Sequence, residues 1–222
     1  MNVLILAGGF GTRIHHISDG KPKPLVEVAG KPILERQIEF LRLHGMRDIR
    51  LSLHHKADQI ISFCENRWPG KFEYVIEPEP LGTGGGIRFA TSDWKDTFLV
   101  LNSDNLCDIN LHAFMASAAP TIAAAHQEDA RPYGLLEIVE QKVRSFSEKP
   151  KDPGPGYVNA GWYVLNPRIF DTIAEKKFMM ETDVFPQLAL RGELGAYLHH
   201  GYWIDAGTEE RLAKAHLDFA GR

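Results

Sequence analysis

The hydrophobic positions of the chain fall into two alternating rhythms. VLILA (3–7), IRLSLH (49–54) and TFLVLN (97–102) are short apolar runs, the pattern of strands covered on both faces. Between them lie stretches with helical spacing. The first opens at Pro32, carries Ile33, Leu34, Ile38 and Leu41 on one face, and closes at Gly45. A second runs from about 57 to 67, before FEYVI (72–76), which alternates as a half-exposed strand. A Pro/Gly loop is expected over 77–86, then a helix to about 93. The later part is richer in strand patterns, at 121–125, 135–140, 142–146 and 157–165, with a turn over 153–156. Two more helices are expected near 183–191 and 209–219. Alternating β and α units imply an α/β fold with a mostly parallel central sheet flanked by helices. No internal repeat or low-complexity segment interrupts the pattern.

Composition narrows the reading without redirecting it. The chain has 222 residues, 44% hydrophobic and 24% charged, with a formal net charge of −4. That suits one globular domain and gives no electrostatic case for nucleic acid or an anionic membrane as partner. Cys64 and Cys107 form no CxxC pair, so reduced thiols are expected. No apolar run reaches membrane-spanning length and the first residues read as a core strand, so a cytoplasmic location is expected.

Candidate chemistry begins where the first strand ends. LAGGFGTR (6–13) offers bare backbone from Gly8, Gly9 and Gly11, followed by Thr12 and Arg13, a guanidinium suited to phosphate. A dinucleotide fingerprint would need glycine at position 14, which is Ile14, and a P-loop would need a GK[ST] ending. A structural turn remains the plain alternative for this loop alone. Downstream, Lys21 and Lys23 alternate with Pro22 and Pro24, which fixes their direction; Lys21 reads equally well as a solvated surface residue.

The run LAGGFGTR followed by KPKPLVEVAGKPILE (21–35) resembles the signature of the sugar-1-phosphate nucleotidyltransferases, and the likeness continues along nearly the whole chain. The resemblance implies a Rossmann-like nucleotidyltransferase fold with a small β-rich sugar-binding part. It implies one domain over 1–222, with 1–110 mainly nucleotide-binding and 111–222 mainly sugar-phosphate-binding and closing helices. By the same resemblance Leu6, Ala7, Gly8, Gly9, Gly11, Thr12 and Arg13 cradle a nucleoside triphosphate, and Arg13 and Lys23 offset its charge. The second glycine segment, EPEPLGTGGGIRFA (77–90), has more glycine than a helix-entry turn requires; Leu81, Gly82, Thr83 and Gly85 are its expected contacts to base and ribose.

LVLNSDN (99–105) places Asp104 beyond the carboxyl end of an apolar strand, where open α/β sheets bind ligands. GYWIDAGT (201–208) repeats the arrangement with Asp205. Mg²⁺ is commonly held by one or two carboxylates plus substrate phosphate. The sequence does not say that the two aspartates meet; the resemblance implies that they do, as a Mg²⁺ pair. Ser103 stands where many relatives have glycine; the resemblance implies that its hydroxymethyl group either crowds the ribose or hydrogen-bonds nearby, and Ala206 is a small variation in the second motif. On the acceptor side, the resemblance gives Lys149 the phosphate of a sugar 1-phosphate and Glu148 the sugar hydroxyls. Gly134 admits the sugar, and Asn159 and Gly161 form the floor. Thr182 and Asp183 read better as a helix cap, and the histidine pairs 15–16, 54–55 and 199–200 as hydrogen-bonded or solvated than as metal ligands.

Among short members, EPLGTGGGI and LNSDNLCDINL most resemble guanylyltransferases acting on D-glycero-D-manno-heptose 1-phosphate. Mannose-1-phosphate guanylyltransferases and N-acetylmuramate 1-phosphate uridylyltransferases follow; the last tend to carry glutamate where Gly82 stands. Expected partners are a nucleoside triphosphate, with GTP favoured, and a sugar 1-phosphate; a homodimer is compatible with the sequence. A dehydrogenase would need the missing third glycine. A catalytically silent sugar-nucleotide sensor should lack one of Arg13, Lys23, Asp104 or Asp205, and all four are present.

Overall fold

A computed structural model of the chain describes residues 1–11, 18, 20–148, 151–152 and 154–221. Its strands are β1 (Val3–Leu6), β2 (Glu27–Val28), β3 (Lys31–Pro32), β4 (Ile49–Leu53), β5 (Glu73–Ile76), β6 (Phe98–Asn102), β7 (Asn105–Cys107), β8 (Thr121–Gln127), β9 (Gly134–Val139), β10 (Lys142–Glu148), β11 (Gly156–Leu165), β12 (Gly195–His199) and β13 (Trp203–Asp205). Its helices are α1 (Ile33–Leu43), α2 (Ala57–Arg67), α3 (Gly82–Ala90), α4 (Leu111–Met115), α5 (Phe185–Leu190) and α6 (Glu209–Phe219).

Nine strands form the central sheet, in the order β5-β4-β1-β6-β11-β8-β12-β10-β9. The parallel pairing expected from the alternating pattern holds over β5-β4-β1-β6, where helical crossovers link the strands. Beyond β6 the sheet is mixed. β11 runs antiparallel to β6 and to β8, β12 is parallel to β8, and β9 and β10 form an antiparallel hairpin. Hairpins and long returns replace the helical crossovers there, and a two-residue turn can join only antiparallel neighbours.

Side-chain alternation on the strands divides the core. Val3 and Ile5 of β1, with Leu51 and Leu99, face a layer holding Leu34, Ile38, Leu41 and Ile60 of α1 and α2. Leu4, Val100 and Ile122 face the opposite layer, with Ile87 of α3 and Phe185 and Leu188 of α5. A third, smaller cluster seats α6, packing Leu212 and Ala215 onto Val26, Val28, Leu106 and Ile204.

Strand order fixes where a ligand can enter. The chain moves outward from β1 to β4 and β5, then returns to place β6 on the other side of β1. The loops leaving β1 and β6 therefore diverge, opening a crevice at their carboxyl ends. Those loops begin with Ala7 and Ser103. Two of the expected helices are revised. The helix of the second glycine segment starts at Gly82, inside the expected loop. The 183–191 helix is instead a wide π-type turn, Met180–Val184, followed by the short α5. Pro186 sits in the first turn of α5, where its missing N–H costs nothing.

Gly161 occupies an irregularity in β11, where the register against β8 shifts between Asn159 and Tyr163. Its φ is +74°, and an added Cβ would run into the side-chain amides of Asn102 and Asn105. Gly161→Ala should therefore destabilise the fold by at least about 1–2 kcal/mol, the left-handed backbone cost alone. A urea midpoint equal to wild type would contradict this.

Candidate active site

The crevice above β1 and β6 contains a cleft of about 380 Å³ lined by Leu6, Gly8, Gly9, Phe10, Lys23 and Pro24 on one side and by Gly82, Thr83, Asn102, Ser103 and Asp104 on the other. Gly9 has nothing within 4 Å of where its Cβ would be, so its backbone faces open space. Gly8 lies against the backbone of His54, and Gly11 needs its φ of +61° to pass the Lys23 side chain. Leu6 borders the cleft, while Ala7 is buried and donates its N–H to Ser52 O at 2.8 Å. Thr12 and Arg13 lie outside the described residues, as do His15, His16 and Lys149.

The second glycine segment is built differently from expectation. Gly82 and Thr83 reach the cleft, whereas Leu81 and Gly85 are buried beside it. The amides of Gly84 and Gly85 both donate to Phe178 O, at 3.1 Å each, and Phe178 N donates back to Leu81 O. A Cβ on Gly85 would meet Lys176 O at 2.5 Å, and one on Gly86 would meet Glu77 Oε1 at 2.8 Å. Gly84 and Gly85 thus let segment 176–180 lie directly on α3, and Gly86 makes room for the Glu77 carboxylate. Packing alone accounts for this much glycine.

Asp104 and Asp205 meet. β7 and β13 form a separate two-stranded antiparallel ribbon in which Asp205 is the partner of Asn105. Ala206 N donates to Asp104 O at 2.8 Å and ties the turn after β6 to the end of β13. Lys23 Nζ lies 2.5 Å from Asp104 Oδ2 and 4.0 Å from Asp205 Oδ1, so one ammonium faces both carboxylates. Lys23 stands in a short 3-10 turn, Lys23–Leu25, with Pro24 and Leu25 buried beneath it. Lys21, by contrast, is half-exposed and pairs with Glu27, as the plain reading expected. Ala206 is wholly buried, which leaves no room for a larger side chain there.

A second cleft, about 270 Å³, opens on the other side of Asp104. Pro132, Tyr133, Gly134, Glu148, Asn159, Gly161, Glu181, Trp203 and Asp205 line it, and it shares Asn102, Asp104 and Met179 with the first. Four of the five residues expected on the sugar side are therefore gathered there. At Gly134 an added Cβ would meet the Phe146 ring at 2.7 Å and Glu148 Oε2 at 3.0 Å, so glycine makes room for that carboxylate. Asn159 is held by its neighbours: its Nδ2 donates to Tyr163 Oη at 3.0 Å and its Oδ1 accepts from Gly161 N at 2.9 Å. Neither Thr182 nor Asp183 caps α5: Asp183 accepts from Met179 N at 2.7 Å within the π-type turn, and Thr182 borders the second cleft.

Three supporting residues escape the sequence reading. Gln37 of α1 donates through Nε2 to Asn102 O at 2.8 Å and to Asn105 O at 2.7 Å, clamping the turn that presents Asp104. It stands one turn from both Ile33 and Leu41, so a polar residue interrupting a buried apolar stripe was the available signal. Arg211 places Nη1 3.1 Å from Asp205 Oδ2, bonds Thr208 Oγ1 through Nε at 3.0 Å, and lies over the Tyr133 ring. Nothing in its sequence setting distinguishes it from a surface arginine on α6. Glu181 borders the second cleft, and Thr83 Oγ1 donates to its Oε2 at 2.5 Å. Burial raises its carboxyl above the usual carboxylate range.

In each of the described pairs, 54–55 and 199–200, one histidine is held by a backbone carbonyl. His54 Nδ1 contacts Glu77 O at 3.0 Å, and His199 Nε2 contacts Tyr202 O at 3.0 Å. Among the described residues no three His, Cys, Asp or Glu side chains converge for a metal. The Asp104–Asp205 pair is nevertheless chemically suited to a hard divalent cation completed by phosphate oxygens. Both carboxylates already turn toward one positive charge, that of Lys23. Burial pushes both thiols, Cys64 and Cys107, up to about 12, so neither is a nucleophile near neutral pH. No helix among the described residues is long and apolar enough to cross a membrane.

Comparison with known proteins agrees with this geometry. Residues 2–221 match the family model described as Nucleotidyl transferase, and the chain belongs to that family. It is 36% identical over 220 residues to a mannose-1-phosphate guanyltransferase of Yarrowia lipolytica. It is 35% identical over 219 residues to the catalytic subunit beta of mannose-1-phosphate guanylyltransferase from Dictyostelium discoideum. Each alignment covers 93% of the chain but 61% of the relative, so the chain spans about three fifths of the length of these curated relatives. The crystal structure of HddC from Yersinia pseudotuberculosis complexed with GMP-PN superposes with a TM-score of 0.86 at 36% identity. That match covers 98% of this chain and 99% of HddC. A putative glucose-1-phosphate thymidylyltransferase from Bacillus anthracis shares the fold, at TM-score 0.88 and 23% identity.

Removing the Lys23 ammonium should deprive Asp104 of the cation 2.5 Å away, while Asp205 keeps Arg211. Lys23→Met is expected to lower stability by about 2 kcal/mol, with Mg²⁺ restoring part of the loss. The restoration should vanish in Lys23→Met/Asp104→Asn. Thermal melts with and without Mg²⁺ would check this, and a Lys23→Met melt indifferent to Mg²⁺ would count against the shared cation position.

Proposed function

We propose that the protein transfers a nucleotidyl group from a nucleoside triphosphate to a sugar 1-phosphate, releasing pyrophosphate and an NDP-sugar. The observation that carries this reading is the meeting of two clefts at Asp104, opposite Asp205 and beside Lys23. One cleft is walled by glycine backbone and suits a polyphosphate. The other is lined by carboxylate and amide side chains and suits a polyol. Their junction is where an acceptor oxygen would meet the α-phosphorus.

In this reading a phosphate oxygen of the sugar 1-phosphate forms the new P–O bond and the bond to pyrophosphate breaks. The nucleophile is already ionised near neutral pH, so the protein need not remove a proton. Positioning and charge compensation supply the acceleration. Lys23 presents its ammonium to the reacting phosphate, and Gln37 and Arg211 hold Asp104 and Asp205 in place. Arg13 would offset triphosphate charge and Lys149 would steady the acceptor phosphate. Asp104 and Asp205 would hold Mg²⁺, which would supply positive charge to offset that of the reacting phosphates.

GTP is the favoured donor, since the curated relatives above are named guanyltransferases and HddC was solved with GMP-PN. The favoured acceptor is D-glycero-D-manno-heptose 1-phosphate, on the likeness of EPLGTGGGI and LNSDNLCDINL; mannose 1-phosphate is the second reading, supported by the curated relatives. The uridylyl reading fits less well. Gly82 has φ +77°, and a Cβ there would meet Phe178 O at 2.5 Å, which leaves no room for a glutamate.

Pyrophosphate release, measured with four nucleoside triphosphates against heptose, mannose and N-acetylmuramate 1-phosphates, should peak with GTP and a manno-configured acceptor. Asp104→Ala should fold and lose about 10³-fold in rate. Undiminished turnover in that variant would discard its assigned role.

A further inference from the structure

Glu181 has no part in the scheme above, yet it stands where the two clefts are joined. It borders the second cleft together with Asn102, Glu148 and Asn159. Thr83, which borders the first, donates its hydroxyl proton to Glu181 Oε2 and accepts from Met180 N at 2.9 Å. Because the Thr83 oxygen already accepts from an amide, its one proton is directed at the carboxylate. The orientation of Glu181 is therefore set from the nucleotide side. A carboxylate offers about four acceptor sites on its two oxygens, and Thr83 occupies one of them. Two polar neighbours are committed elsewhere: Asp183 accepts from Met179 N, and the Asn159 amide is tied to Tyr163 and Gly161.

We propose that Glu181 is a specificity-determining acceptor for hydroxyl groups of the sugar 1-phosphate, held in register with the nucleotide loop by Thr83. The inference rests on the sugar 1-phosphate reading. Burying a carboxylate is costly, and a site that retains one there gains when a hydroxyl-bearing ligand completes its hydrogen bonds. Withdrawal from water raises this carboxyl, which places that cost in the unliganded protein. The bridge also makes sugar binding depend on a residue of the nucleotide loop, although the two ligands occupy different clefts.

Steady-state kinetics with the best donor and acceptor of the full-length protein would test this. Glu181→Gln should raise KM for the sugar 1-phosphate by about 10- to 100-fold, keep KM for the triphosphate within about twofold, and melt no lower than wild type. Thr83→Val should raise the same acceptor KM by a smaller factor. The double variant should be no worse than Glu181→Gln alone, since both changes break one hydrogen-bonded unit. Should Glu181→Gln fail to fold, Glu181→Asp gives the same readout with the charge kept and the reach shortened. An unchanged acceptor KM, or equal rises in both KM values, in variants that melt like wild type would overturn the inference alone. Wild-type protein that makes no NDP-sugar from any pair would overturn the transferase reading and this inference with it.

Discussion

Two carboxylates and one ammonium organise this molecule. Asp104 and Asp205 come from opposite parts of the chain, and like charges at close range repel unless a cation stands between them. The fold brings them together with the β7–β13 ribbon, whose Leu106 and Ile204 also anchor α6, and sets Lys23 against both. Arg211 compensates Asp205 from behind, and Gln37 fixes the turn under Asp104. The third hydrophobic cluster, which seats α6, is thus also the foundation of the site: Ile204 and Ala206 are buried in it on either side of Asp205.

Most of the architecture could be read from hydrophobic period. The ends of α2 and α6 and the parallel strands β1, β4 and β6 fall where apolar runs and helical spacing place them. What escaped was short or borrowed its stability from elsewhere. β7 and β13 are only three residues long, too few for a period to register. β13 exists because β7 lies beside it, not because WID is a strong strand sequence. The mixed half of the sheet was hidden for a related reason: direction of pairing depends on how strands are connected, and strand patterns alone do not encode it.

The site was legible to the extent that its residues sit in motifs. Lys23, Asp104 and Asp205 converge, and Gly134, Glu148, Asn159 and Gly161 share one cleft. Residues outside the motifs were not legible. Gln37 looks like a helix residue, Arg211 like a surface cation, and Glu181 like one more acidic residue before Thr182 and Asp183. The glycine triplet carries a second duty that the sequence does not announce: Gly84 and Gly85 let segment 176–180 pack on α3, and Gly86 makes room for Glu77.

The wide spacing of the three charged residues also bears on how the molecule assembles. Lys23 and Asp104 are 81 positions apart, and Asp205 is about a hundred further on. Contacts of such long range form late, since most of the chain-closure entropy must be lost before they repay it. β1 and β4, joined through α1, can collapse around α1 and α2 before the ribbon closes. Chemical competence is then among the last properties acquired, because Asp205 reaches Asp104 only once β13 has paired with β7.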